Sequence, residues 1–95
     1  MPDVTLVIRN PSGLHARPAA LFVKTAAAFA SDLTITNLSR DPARSVNPKS
    51  LLALLTLGVS SGHEVRISAD GTDADAAIAA LEQLVADGLG ESLAT

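Results

Sequence analysis

The sequence predicts an α+β domain, an antiparallel sheet with helices packed on one face. Three observations carry this. Segments near residues 3–9, 33–38 and 64–69 alternate apolar with polar side chains, as strands with one wet face do. Residues 16–30, the stretch after Ser50 and the stretch after Thr72 place apolar side chains at helical spacing. The resulting order, β-α-β-β-α-β-α, separates the strands by helices without the long apolar runs of a buried parallel sheet.

In the first strand Val4, Leu6 and Ile8 alternate with Thr5, Val7 and Arg9. The first helix, over 16–30, is alanine-rich, with Phe22, Ala26 and Phe29 on one side. Pro18 fits its first turn, where the missing N–H would be unpaired anyway. Leu33 to Leu38 is β-branched and alternating, a second strand. Ser39 to Arg44 reads as a turn, and Ala43 to Val46 as a short third strand before Pro48. Ser50 is a good N-cap for the next helix. At about 100° per residue, Leu54 and Leu57 of that helix share one side, while Leu51, Leu52 and Leu55 form a broad opposing face. A helix so apolar all round is buried or covered by something, and a chain of 95 residues has little to cover every side. Val65, Ile67 and Ala69 mark the fourth strand. Thr72 is the expected N-cap of the last helix, with Asp75 three residues on. That helix buries Ile78, Leu81, Leu84 and Val85 and stops near Gly88, which leaves 90–95 as an expected tail and about 3–89 as the core of one domain spanning 1–95.

Composition narrows the function classes. The chain is 47% apolar with two aromatic residues, Phe22 and Phe29, so the core must be aliphatic. With no cysteine there are no disulfides or thiolate metal sites, which fits a reducing, cytoplasmic setting. Met1 to Thr5 lacks the basic segment and apolar run of a secretory signal. Lys24 and the polar stretch 58–64 interrupt any run approaching the ~20 apolar residues of a membrane span. The net charge of −3, without a Lys/Arg cluster, argues against a nucleic-acid partner. The two histidines, His15 and His63, have no recognised ligand spacing, so no metal site is expected, and His63 reads as a solvated turn residue.

His15 is the informative residue. It falls at or beside the start of the first helix, where free N–H groups and the helix dipole favour an anion. A lone histidine there is ordinarily a polar cap or surface residue, and Ser12 is as able to supply a turn hydrogen bond. Arg17 shifts the balance, because its planar fork of donors suits phosphate oxygens. A neutral imidazole, an anion hole and an arginine within one turn together suit the carriage of a phosphoryl group.

Gly13-Leu14-His15-Ala16-Arg17-Pro18 resembles, at every position, the active-site signature of the HPr family, the histidine phosphocarriers of the bacterial sugar phosphotransferase system. Val46 to Val59 looks like that family's regulatory-serine region, and Ala69 to Asp73 like the turn before its last helix. The resemblance implies an open-faced β-sandwich, four strands in the order 1-4-2-3 and three helices on one face. It implies that enzyme I phosphorylates His15 at Nδ1, that Arg17 and the first-turn amides of Ala16 and Arg17 hold the phosphate, and that EIIA-type acceptor domains receive it. Such a protein is a monomeric, cytoplasmic carrier with no cofactor of its own, an enzyme only as a covalent substrate-protein. The resemblance further makes Leu51, Leu52 and Leu55, edged by Ala20 and Lys24, the partner-docking patch. Ser50 matches the serine acted on by a kinase and phosphorylase in some relatives, although segment 39–49 is a few residues longer than usual and Pro48 stiffens the approach. Two other readings stay open: a carrier in a nitrogen- or dihydroxyacetone-linked phosphotransferase chain, and a regulatory binding module acting through Ser50.

Overall fold

The computed structural model describes residues 2–91. Its elements are β1 (Asp3–Val7), α1 (Ala16–Ala27), β2 (Asp32–Asn37), β3 (Ser45–Val46), α2 (Leu51–Thr56), β4 (Glu64–Asp70) and α3 (Ala74–Ala86). The strands form one antiparallel sheet in the order β1-β4-β2-β3. The central strand β4 carries Ile67 opposite both Val4 of β1 and Ile35 of β2, and Val65 opposite Leu6. Alternation then puts one apolar face of three strands under the helices. Phe22 of α1, Leu54 of α2 and Leu81 of α3 are fully buried together with Ile35 and Ile67. The opposite face is wet, and there Arg66 pairs with Asp3 at 2.8 Å.

β1, α1 and β3 are shorter than expected, each where the chain turns. β1 ends at Val7, yet Ile8 is fully buried and still bonded to the turn before β4: its N–H donates to the His63 carbonyl at 2.9 Å. α1 ends at Ala27, and Lys49 Nζ donates to the Phe29 carbonyl at 2.7 Å, tying the approach of α2 to the end of α1. The long segment between β2 and α2 is held at the other end of α2. Arg44 donates to the Thr56 carbonyl at 2.9 Å and to its hydroxyl at 2.8 Å, satisfying an orphan acceptor of the last turn.

One expected cap is corrected. The residue before α3 is Asp73, not Thr72, and its side chain makes no cap bond. Instead its carboxylate accepts from Ala30 N–H at 2.8 Å, Ser31 N–H at 2.9 Å and the Ser31 hydroxyl. A long-range clamp between the entries to β2 and α3 outcompetes the local cap. The Ser31 hydroxyl, then the Ala30 N–H, hold this carboxyl below its ordinary pKa. Within the expected tail, Gly90 and Glu91 are described, while 92–95 lie outside the described residues.

Candidate functional site

The site begins with a turn that only glycine completes. Gly13 adopts φ +63°, and a Cβ there would collide with the Val59 carbonyl and lie 2.8 Å from Ser60 Cα. Close approach lets Leu14 N–H donate to the Val59 carbonyl at 3.0 Å, and the Leu14 side chain is fully buried. The chain is thus bolted down immediately before His15.

His15 is the N-cap residue of α1, in extended conformation (φ −129°, ψ 159°), exposed, with no side-chain cap bond. Its carbonyl accepts from Ala19 N–H at 3.4 Å, so the helix starts at once and leaves the N–H groups of Ala16 and Arg17 without intrahelical acceptors. The next residue, Ala16, has φ 49°. A left-handed alanine costs about 1–2 kcal/mol. Nothing in the sequence signals it, because glycine or asparagine is the usual occupant of that region. The buried anchors on either side, Leu14 and Pro18, hold the backbone there. Arg17 is exposed, with no hydrogen bond or ion pair among the described residues, and its fork is free to meet an anion.

The other expected residues lie along the paired helices α1 and α2. Ala20 and Lys24 are exposed on α1. On α2 the two faces separate as the periodicity predicts. Leu54 and Leu57 are 0% and 4% exposed, whereas Leu51, Leu52 and Leu55 are 42%, 76% and 37% exposed. Ser50 caps α2, its Oγ accepting from Ala53 N–H at 3.2 Å, and remains exposed.

His63 is not simply a solvated turn residue. It is half-buried, and its Nδ1 accepts from Ser60 N–H at 3.1 Å and faces the Asn37 amide nitrogen at 3.1 Å. It organises the turn against which Gly13 packs. Among the described residues no three His, Cys, Asp or Glu side chains converge as metal ligands, and no helix is long and apolar enough to cross a membrane.

The start of α1 thus combines an exposed N-cap histidine without a side-chain cap bond, two first-turn amides and an exposed arginine two residues on, groups suited to meeting an anion. The family model described as the PTS HPr component phosphorylation site matches residues 3–87. The chain is 45% identical over 85 residues to a multiphosphoryl transfer protein of Escherichia coli O157:H7, covering 90% of this chain and 22% of that protein. It spans about a fifth of the length of such curated relatives. Among solved structures, HPr-C-His of Thermoanaerobacter tengcongensis superposes with a TM-score of 0.90 at 45% identity, covering 98% of this chain and 100% of that one. The phosphocarrier protein HPr of Bacillus anthracis gives 0.78 at 35% identity, covering 84% and 90%. The chain belongs to the HPr family of phosphotransferase-system phosphocarriers.

Proposed function

We propose that this chain takes a phosphoryl group from phosphorylated enzyme I onto His15 and passes it to EIIA-type acceptor domains, acting as a cytoplasmic monomer. The observation that carries the reading is the exposed His15 at the N-cap of α1, its side chain uncommitted and Arg17 two residues on. In the step itself, the lone pair of one His15 ring nitrogen (Nδ1, by the family resemblance) attacks phosphorus in line. The phosphorus–nitrogen bond to the enzyme I histidine breaks, and the donor ring leaves with that electron pair. The proton on the other His15 nitrogen stays in place, so no general base is required. Positioning and charge stabilisation suffice for such a transfer. The amides of Ala16 and Arg17 and the Arg17 guanidinium hold the phosphoryl oxygens.

Leu51, Leu52 and Leu55, with Ala20 and Lys24, form the docking surface in this reading, since a contiguous exposed apolar face on a small domain marks an interface. Ser50 lies at the edge of that face, where a phosphate would be accommodated by the helix start and would have to be desolvated by any partner. The choice between sugar-, nitrogen- and dihydroxyacetone-linked chains rests on partners. A regulatory module acting through Ser50 alone would have no use for His15.

The test is incubation with enzyme I and phosphoenolpyruvate. One acid-labile, base-stable phosphoryl group should appear per chain and be absent from His15→Ala. Equal labelling of His15→Ala, at His63, would overturn the assignment.

A further inference from the structure

The turn before His15 is held from the far end of the chain. Glu91 Oε1 accepts from Ser12 N–H at 3.1 Å and from Asn10 Nδ2 at 2.9 Å, and Glu91 Oε2 accepts from the Ser12 hydroxyl at 2.8 Å. The second proton of Asn10 Nδ2 goes to the Gly13 carbonyl at 2.9 Å. Asn10 is 1% exposed, and its Oδ1 has no partner among the described residues. The orientation of this buried amide thus depends on Gly13 and Glu91 together.

Glu91 is not a chance visitor from a loose end. Leu89, two residues earlier, is fully buried, and its N–H donates to the Leu84 carbonyl at 3.0 Å. Gly88, Leu89 and Gly90 all have positive φ, and Glu91 N–H closes the turn on the Gly88 carbonyl at 2.9 Å. Gly90 lies so close to α1 that a Cβ on it would meet Leu21 Cδ1 at 2.7 Å. An anchored turn therefore delivers a carboxylate to three donors of the 10–12 segment. Those donors, the Asn10 amide first and then the Ser12 hydroxyl and N–H, also keep the carboxyl below its ordinary pKa, so the contact is charged near neutrality.

We infer that Glu91 is a positioning residue for phosphoryl transfer: it pins the Asn10–Gly13 turn and so fixes the approach of His15 to a partner's phosphohistidine. This rests on His15 being the acceptor. The carboxylate touches neither the ring nor the phosphoryl group, and its charge is taken up by Ser12 and Asn10 instead of facing the incoming anion. Its contribution is geometric, and transfer between two proteins is where small misplacements are costly.

The experiment uses the full chain with enzyme I and phosphoenolpyruvate, and, as a partner-free donor, potassium phosphoramidate. Glu91→Ala should lower kcat for transfer from enzyme I by about ten- to a hundredfold with KM little changed, because the leucine face is untouched. Labelling by phosphoramidate, which needs no docked geometry, should persist. Glu91→Gln, which keeps one acceptor oxygen, should recover most of the rate. In the unphosphorylated protein the Ser12 amide resonance should titrate in acid with the Glu91 carboxyl, and this titration should vanish in Glu91→Gln. Wild-type kcat in Glu91→Ala would overturn the inference and leave His15 as acceptor. A wild-type chain that neither donor labels would overturn the carrier reading itself, and the role of Glu91 with it.

Discussion

Leu52 and Leu54 sit two residues apart on one short helix and should fail in opposite ways. Leu54 is fully buried, so Leu54→Ala leaves a cavity in the core and should cost about 2–5 kcal/mol. In a domain this small that lowers Tm by roughly 10 °C or more. Leu52 is 76% exposed, and alanine is at least as good a helix former. Leu52→Ala should therefore change stability by no more than about 0.5 kcal/mol. Its cost appears on binding. Fully burying a leucine is worth about 1.5–3 kcal/mol, and roughly three-quarters of that gain is still available to a partner, or about 1–2 kcal/mol. The Kd for enzyme I should rise about 5- to 30-fold. Circular dichroism melts, in a chain without tryptophan or tyrosine, and calorimetric titration against enzyme I read the two effects separately. A Leu52→Ala protein that melts as early as Leu54→Ala, or that binds enzyme I as wild type does, would refute the division of α2 into a core face and a docking face.

Arg17→Ala should fold normally, because the side chain is exposed, but should slow transfer to and from His15 in stopped-flow assays; Arg17→Lys should rescue only part, since a point charge cannot replace the fork. Ser50→Asp should keep or slightly raise Tm, as aspartate caps as well as serine, while weakening enzyme I binding by calorimetry; unimpaired binding would leave Ser50 as a cap alone. Asp73 has a carboxyl lowered in the folded state, so its stabilisation is full above the unfolded-state pKa and is lost as pH falls through the folded one. Asp73→Asn, short of one acceptor oxygen, should be less stable near neutrality and show a shallower loss of stability in acid, read as urea midpoints against pH.

Much of the fold and part of the site were legible because they are local. Period-two alternation marks β1, β2 and β4, Pro18 marks the start of α1, and the spacing of five leucines separates the two faces of α2. Gly13 stood out as punctuation before a helix, although its reason, contact with Val59 and Ser60, is tertiary. What stayed hidden was set by residues far along the chain. Asp73 read as part of an ordinary helix start, yet its carboxylate serves Ala30 and Ser31. Glu91 read as tail because no periodicity extends that far, and an acceptor's value depends on which donors the fold brings to it. The positive φ of Ala16 is imposed by anchored neighbours and leaves no mark in residue type.

The pieces that present His15 come from opposite ends of the chain: the turn at 10–14, the Val59 carbonyl and the Glu91 carboxylate. A ribosome releases them in that order, and the last is made only when the domain is nearly complete. A nascent or truncated chain ending before α3 carries the whole six-residue signature around His15 but lacks the clamp that aims it. On the function proposed above, such a chain would have His15 and Arg17 but none of the three Glu91 contacts that hold Asn10 and Ser12.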